Sequence, residues 1–136
     1  MNAKKYLSQA IRLNARINNK LEQVEILRTL ATKVTAVLSD MPSSPTRRTD
    51  TMEDAIVRMV DLQNEVASDL VRLMELRKEI YSVICQVENT AQQAILEMRY
   101  LCNKDWAVIA TELNYDQRYV FKLHGLALKE VDSKRH

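Results

Sequence analysis

The feature that most constrains this chain is its near lack of turn-forming residues: 136 residues contain one glycine and two prolines. Sheets and catalytic loops are usually interrupted by many residues of both types, because tight turns need them. A chain with so few of them is best built from long helices. We therefore expect an all-α protein, in which a long antiparallel helical hairpin of the coiled-coil type is followed by three short helices.

The length of 136 residues fits one domain of ordinary size or two small modules, and it excludes a large multidomain enzyme. We expect two modules, because the regular pattern of the first part of the chain gives way to shorter segments near residue 89. Residues 1–88 are expected to form the hairpin, which serves dimerisation or partner binding. Residues 89–136 are expected to form the C-terminal module.

Apolar residues recur every seven positions along both arms of the predicted hairpin, which is typical of helices that pack against another helix. Between about Ala3 and Ser39 the main row and its companion row contain Ala10, Ile17, Val24, Ala31 and Leu38, and Leu13, Leu27 and Val34. Lys20 occupies a place in the companion row, so this arm suits a helical bundle better than a strict two-stranded zipper. In the second arm the two rows contain Ile56, Gln63, Leu70, Arg77 and Ile84, and Met59, Val66, Leu73, Ile80 and Val87.

Both prolines lie in one polar segment, residues 40–50, which we expect to be the linker between the arms. Each proline lacks a backbone N–H and biases the residue before it away from helical angles. Asp50 stands three residues before Glu53, which is the spacing of a capping box. The second arm is therefore expected to begin next to Asp50.

The two arms carry opposite charge. Residues 1–39 hold seven basic and two acidic side chains, whereas residues 52–95 hold four basic and eight acidic ones. Both arms also carry apolar residues outside the seam, namely Ile26, Leu30, Val37, Val71, Met74 and Tyr81. Burying apolar surface contributes about 25 cal/mol per Å², which favours either a four-helix homodimer of hairpins or a C-terminal module folded onto the arms. We expect the homodimer.

Three short helices are expected in the C-terminal module, from about Ala91 to Leu101, from Trp106 to Leu113, and from about Gln117 to Val131. Asp105 is placed to cap the second of them. The last two helices match a helix-turn-helix, with the small Ala110 at the close approach and Asn114 in the turn, where left-handed geometry is needed. The apolar positions of that motif are filled by Ile109, Leu113, Val120 and Leu123.

The C-terminal module contains the segments Leu96-Glu-Met-Arg-Tyr100, Trp106, Ile109-Ala110, Leu113-Asn-Tyr115 and Val120-Phe-Lys-Leu-His-Gly-Leu-Ala-Leu128. Through them the run from Ile95 to Leu128 resembles the fourth region of sigma factors. The whole chain, with its hairpin and Pro-Ser linker, resembles small phage and prophage proteins of Gram-positive bacteria related to the ArpU and RinA late-gene transcription regulators. This resemblance implies sequence-specific binding to double-stranded DNA and activation of phage late genes in the bacterial cytoplasm, with host RNA polymerase as a candidate partner.

Two positions depart from the pattern of these relatives. The turn has Asn114 instead of the usual glycine, and Asp116 stands where a serine is usual. An acidic residue that faces phosphate weakens DNA binding, although capping of the last helix explains Asp116 equally well. No second sigma-like module fits in the chain once the hairpin is assigned, so we do not expect a complete sigma factor.

In a helix-turn-helix the N-terminal part of the second helix enters the major groove. Glutamine there can pair with adenine, arginine with guanine, and phenylalanine can pack on a thymine methyl group, so the candidate base contacts are Gln117, Arg118, Phe121 and Lys122. Lys104 and Tyr119 are candidate phosphate contacts, and His124 either bonds to a phosphate or packs inside the module. The alternative is that these side chains only solvate a surface helix. Trp106 is expected in the core, and Gly125 indicates close approach of either DNA backbone or another helix.

No pattern in the sequence indicates catalysis or a bound metal. Cys85 and Cys102 lack the paired spacing of zinc ligands and the dense spacing of a disulfide framework. There is no Gly-rich phosphate loop and no nucleophile elbow, and no uncharged stretch approaches the roughly 20 residues of a membrane span. We expect a cytoplasmic protein that is not an enzyme and uses no cofactor, metal, membrane or small-molecule substrate.

Two other functions remain open. A helical interaction protein would dock on RNA polymerase or another protein without binding DNA, and it would lack the salt dependence that phosphate contacts confer. A small subunit of a phage packaging terminase also combines a helix-turn-helix with a coiled coil, but it usually carries the DNA module first. Ring-sized oligomers would favour the terminase subunit over a dimeric regulator.

Overall fold

The computed structural model describes the backbone of residues 1–38 and 45–135 and the side chains of residues 1–37 and 50–135. These residues form five helices and no strands, which confirms the all-α fold. The helices are α1 (Ala3–Leu38), α2 (Pro45–Cys85), α3 (Thr90–Leu96), α4 (Trp106–Leu113) and α5 (Gln117–Arg135), and α3 continues into a π-helical turn, Glu97–Leu101. None of the described helices combines the length and the apolar character that crossing a membrane requires.

The second long helix begins earlier than predicted. It starts at Pro45, so residues 45–50 are helical, and Asp50 lies inside α2 instead of capping it. A proline is well suited to the first position of a helix, because its missing N–H would have no partner there and its φ is already helical. The predicted linker is therefore wrong for residues 45–50, and residues 39–44 lie outside the described residues.

The chain divides into two compact units. The middle unit consists of Ala15–Val71, and the terminal unit consists of Met1–Asn14 together with Arg72–His136. Both long helices therefore contribute to both units. The predicted division of roles between residues 1–88 and 89–136 stays a prediction.

In the middle unit α1 and α2 run antiparallel. The Lys20 ammonium lies 2.7 Å from an Asp69 carboxylate oxygen, and the Thr35 hydroxyl lies 3.9 Å from the Met52 sulfur. Residues later in α1 thus contact residues earlier in α2, as the predicted antiparallel hairpin requires. Lys20 is buried and fills the seam place that the sequence assigned to it. A buried ion pair in an otherwise apolar seam favours one register of the two helices.

Replacing Lys20 with alanine should destabilise the protein by about 1–3 kcal/mol. The substitution leaves the carboxylate of Asp69 largely desolvated and takes away the ammonium that compensates for this, with side-chain exposures of 11% for Lys20 and 18% for Asp69. Urea denaturation followed by circular dichroism measures the change. The control is the double variant Lys20→Met/Asp69→Leu, which removes both charges and should stay close to the wild type. A loss below about 0.5 kcal/mol for Lys20→Ala would show that the pair adds nothing to the seam.

One of the two predicted rows of α2 is confirmed and the other is displaced by one position. Along the row that begins with Met59, that residue is half-buried and Val66, Leu73, Ile80 and Val87 are buried. Of the predicted companion row only Ile84 is buried, whereas Ile56 is 48% and Leu70 44% exposed. The place of this row is taken by the row one residue earlier, Ala55, Leu62, Asp69, Leu76 and Val83, all of which are buried or half-buried. The physical reason is that this row keeps Gln63 and Arg77 in water.

In the terminal unit the first turns of α1 pack against the end of α5 and against α2. The Ala3 N–H donates to an Asp132 carboxylate oxygen (2.8 Å), and the Tyr6 hydroxyl donates to Glu79 (2.7 Å). The Arg135 guanidinium lies 3.9 Å from the centre of the Tyr6 ring. Burial, together with the Glu79 carboxylate, raises the pKa of Tyr6 to about 12, so the phenol keeps the proton that it donates. This packing covers the start of α1, while the apolar residues expected outside the seam stay exposed: Ile26, Leu30, Val37, Val71, Met74 and Tyr81.

Candidate nucleic-acid interface

The segment from α4 to α5 is a helix, a tight turn and a second helix. The bounds of α4 and the start of α5 are as predicted, whereas α5 continues past the predicted end at Val131 to Arg135. Asn114 ends α4 in the left-handed region, at φ 59° and ψ 38°, which asparagine tolerates better than most residues. The Tyr115 N–H donates to the Ala110 carbonyl (3.0 Å), and this bond closes the last turn of α4. Asn114 therefore does the work of the glycine that is usual in such turns.

The acidic residues before the two helices differ in what they do. Asp116 accepts a hydrogen bond from the Tyr119 N–H at 2.7 Å, so its carboxylate caps the start of α5. Capping accounts for this acidic residue at a helix start that was expected to face DNA. Asp105 stands at the predicted cap position of α4 with extended backbone, but its side chain makes no capping hydrogen bond.

A single apolar cluster holds α3, α4 and α5 together. It consists of the buried residues Ile95, Ile109, Ala110, Val120 and Leu123, with Ala91, Met98, Trp106 and Leu113 packed against it. Every apolar position of the predicted helix-turn-helix belongs to this cluster or contacts it. The cluster fixes which sides of α4 and α5 face inward, and thereby which residues of α5 face solvent.

Trp106 packs on this cluster, as expected, and also contacts three polar or aromatic groups. Its ring centre lies 5.3 Å from that of Phe121 and 4.6 Å from that of His124, in edge-to-face arrangements. The Arg99 guanidinium lies 4.6 Å from the Trp106 ring centre and donates to the Lys104 carbonyl (3.0 Å). Arg99 was not predicted, because no local sequence pattern places the side chain of one helix on a ring of the next.

His124 lies inside the module, where it is 8% exposed. Its Nε2 atom is 2.7 Å from the Tyr100 hydroxyl, and the two rings stack. Burial lowers the pKa of His124 to about 4, and the charges of Lys4 and Arg99 act in the same direction. Of the two roles that the sequence left open, the structure favours packing, because a buried neutral imidazole is out of reach of a phosphate.

The remaining candidate base contacts lie together on the exposed N-terminal half of α5. All four are exposed, namely Gln117, Arg118, Phe121 and Lys122. Arg118 and Lys122 are one helical turn apart. Among the described residues neither Arg118 nor Lys122 forms an ion pair. Both cations are therefore available to a partner from outside the chain.

The candidate phosphate contacts are placed less uniformly. Tyr119 is exposed, and its ring meets that of Tyr115 edge to face at 4.9 Å beside the turn. The Lys104 ammonium pairs with a Glu112 carboxylate oxygen at 2.7 Å, which raises the pKa of Lys104. A phosphate would have to compete with Glu112 for Lys104, whereas it meets no such competitor at Lys122 within the described residues.

Within residues 1–37 and 50–135 no group of three or more histidine, cysteine or acidic side chains is arranged to hold a metal ion. Both cysteines are exposed free thiols. The exposed surface of α4 and α5 thus offers hydrogen-bond donors, cations and the aromatic rings of Tyr119 and Phe121.

Comparison with known proteins identifies a family but no individual relative. No curated protein and no solved structure matches the chain. The model of the family DUF1492, described as a protein of unknown function, matches residues 37–132. This match covers more than half of the chain and includes α2, α3, α4 and most of α5. The chain therefore belongs to the DUF1492 family.

Proposed function

We propose that this protein is a sequence-specific DNA-binding transcription regulator whose helix α5 enters the major groove. The observation that carries the proposal is the exposed N-terminal half of α5, where Arg118 and Lys122 stand free of ion pairs among the described residues. The helix is held at this orientation by the Asn114 turn and the apolar cluster beneath it. This is the construction by which a helix-turn-helix presents side chains to base edges.

The residue types on this surface suit DNA contacts. Gln117 matches the paired donor and acceptor of adenine, and Arg118 can donate to the two acceptors of guanine, N7 and O6. Phe121, exposed beside them, offers an apolar surface for a thymine methyl group. Lys122 supplies charge to the phosphates, which positions the protein without reading sequence.

Charge along α5 supports the same partner. From Gln117 to Lys129 the helix carries three cations and no acidic residue. The acidic residues nearest in sequence are the capping Asp116 and, beyond this stretch, Glu130. A helix face of one sign attracts a polyanion and raises the rate of encounter with it.

The hairpin is proposed to serve dimerisation. The middle unit exposes a set of large apolar side chains that its own seam does not bury: Ile26, Leu30, Val37, Ile56, Val57, Val60, Leu70 and Val71. Packing two hairpins into a four-helix bundle would remove this surface from water at a gain of about 25 cal/mol per Å². A two-fold dimer places two recognition helices about one turn of DNA apart or a multiple of it, so we expect paired half-sites.

The resemblance to ArpU and RinA regulators extends the proposal to its biological setting. We expect the protein to act in the bacterial cytoplasm on phage or prophage late genes, as an activator that contacts host RNA polymerase. The exposed apolar residues of the hairpin also favour the second candidate, a protein that docks on polymerase or another protein without binding DNA.

Capture of genomic DNA tests the proposal. Tagged wild-type protein and the double variant Arg118→Ala/Lys122→Ala are incubated with sheared DNA of the source genome, and the retained fragments are sequenced. The matched control is Arg58→Ala/Arg72→Ala, which removes the same charge from exposed positions of α2. We expect a sharp enriched site for wild type and control, and its loss for the α5 variant. Absence of enrichment from folded wild-type protein would contradict the proposal and favour protein docking.

A further inference from the structure

The single glycine of the chain, Gly125, lies in the middle of α5. A glycine inside a helix lowers the folding equilibrium constant about fivefold relative to alanine. Its backbone does not need the conformational freedom of glycine, since no described glycine has a positive φ. The position therefore carries a cost in stability that the local geometry does not explain.

Packing inside the chain does not explain the glycine either. A Cβ atom added at Gly125 would meet no described atom within 4 Å, and the residue is exposed. Helical glycines are usually explained by close approach of another helix, and the described residues contain no such neighbour. The sequence left open a close approach of either DNA backbone or another helix. No helix of the described residues approaches Gly125, so the approaching group must lie outside them.

The exposed face around Gly125 carries three cations beside the ring of Phe121. Arg118, Lys122 and Lys129 are all exposed, and they stand seven and three residues before Gly125 and four after it. These spacings place all four residues on one side of a helix. Gly125 is thus the gap in a row of cations, with a lysine about one turn away on either side.

We propose that Gly125 is a notch in the basic face of α5 that admits the sugar-phosphate backbone of DNA, with Lys122 and Lys129 binding phosphates on either side of it. The proposal rests on the DNA-binding function proposed above. A side chain at this position would hold the backbone away from α5, whereas glycine lets the two backbones approach closely. The charge of the face favours a polyanion over the apolar surface of a protein partner.

The test measures stability and DNA binding of the same variant. Gly125→Ala is compared with wild type by thermal denaturation and by binding to a duplex of the most enriched genomic fragment. We expect the variant to be more stable, by about fivefold in the folding equilibrium constant, and to bind the duplex about tenfold more weakly. Gly125→Leu should bind more weakly still. The control is Ser133→Ala, an exposed small residue two turns further along α5, which should leave DNA affinity unchanged.

Four outcomes would overturn the proposal. Equal affinity of wild type and Gly125→Ala would show that no DNA backbone approaches this position. Lower stability of Gly125→Ala would show that the fold itself needs the glycine. If Gly125→Ala changed the mass of the protein oligomer but left its DNA affinity unchanged, Gly125 would face a second copy of the chain instead of DNA. Wild-type protein that retains no DNA fails the proposed function itself, and the notch with it.

Discussion

Lowering the pH from 7 to about 4 is expected to destabilise the protein through His124 by up to about 3 kcal/mol. The folded chain holds the pKa of His124 at about 4 instead of the ordinary 6.5, chiefly by burial. Between these two pH values His124 is protonated in the unfolded chain but stays neutral in the folded chain. The stability that neutral His124 provides is therefore fully present above pH 6.5 and is lost as the pH falls towards 4.

Comparison with His124→Gln isolates this contribution. Glutamine is uncharged at every pH and offers an oxygen that can accept from Tyr100, whose pKa burial raises. Urea denaturation of both proteins is followed by fluorescence of Trp106, the single tryptophan, which contacts His124. Carboxylates titrate in both proteins alike, so the difference between the two curves reports His124. Superimposable pH profiles would contradict the expected role of burial.

Replacing Ile109 with alanine is expected to cost about 2–5 kcal/mol. Ile109 is fully buried in the apolar cluster that joins α3, α4 and α5. Truncation removes contacts on all sides and leaves a cavity that a module of three short helices can close only in part. Loss of this much free energy is comparable with the whole stability of a small domain, so the variant should show an unfolded helix-turn-helix near room temperature.

The matched control is the neighbouring residue. Val108→Ala removes a similar side chain from the same helix, but Val108 is 43% exposed and should cost below about 0.5 kcal/mol. Denaturant titration followed by Trp106 fluorescence reports the module itself, and circular dichroism reports the whole chain. If both variants lost equal stability, the cluster would not be the core that holds α5 in place.

Local signals predicted the C-terminal module well. The end of α4 and the start of α5 follow from Asn114 and Asp116, each of which acts within a few residues of its own position. Asp105 marks the start of α4 by its position alone, without a capping bond from its side chain. The cluster residues follow from helical periodicity around Ala110. Such features need no knowledge of distant parts of the chain, which is why the sequence alone was sufficient.

The buried face of α2, the start of α2 and the environment of His124 were predicted less well, because the sequence permits more than one arrangement at each of them. Either of two rows of α2 can lie beside the row of Val66, and the seven-residue repeat alone does not decide between Leu62, which is buried, and Gln63, which stays in water. Proline both ends helices and begins them, and at Pro45 it begins one. The lowered pKa of His124 depends on burial and on the charge of Lys4, which lies more than a hundred residues away.

The contact between the start of α1 and the end of α5 has a consequence for synthesis. Ala3 bonds to Asp132, a partner 129 positions later. At about ten residues per second, the ribosome makes Asp132 about 13 seconds after it makes Ala3. Residues 15–71 can pack as antiparallel helices in that interval. The apolar side chains of Tyr6 and Leu7 stay exposed to solvent until the rest of the terminal unit has been made. The terminal unit is thus expected to complete its folding after the middle unit.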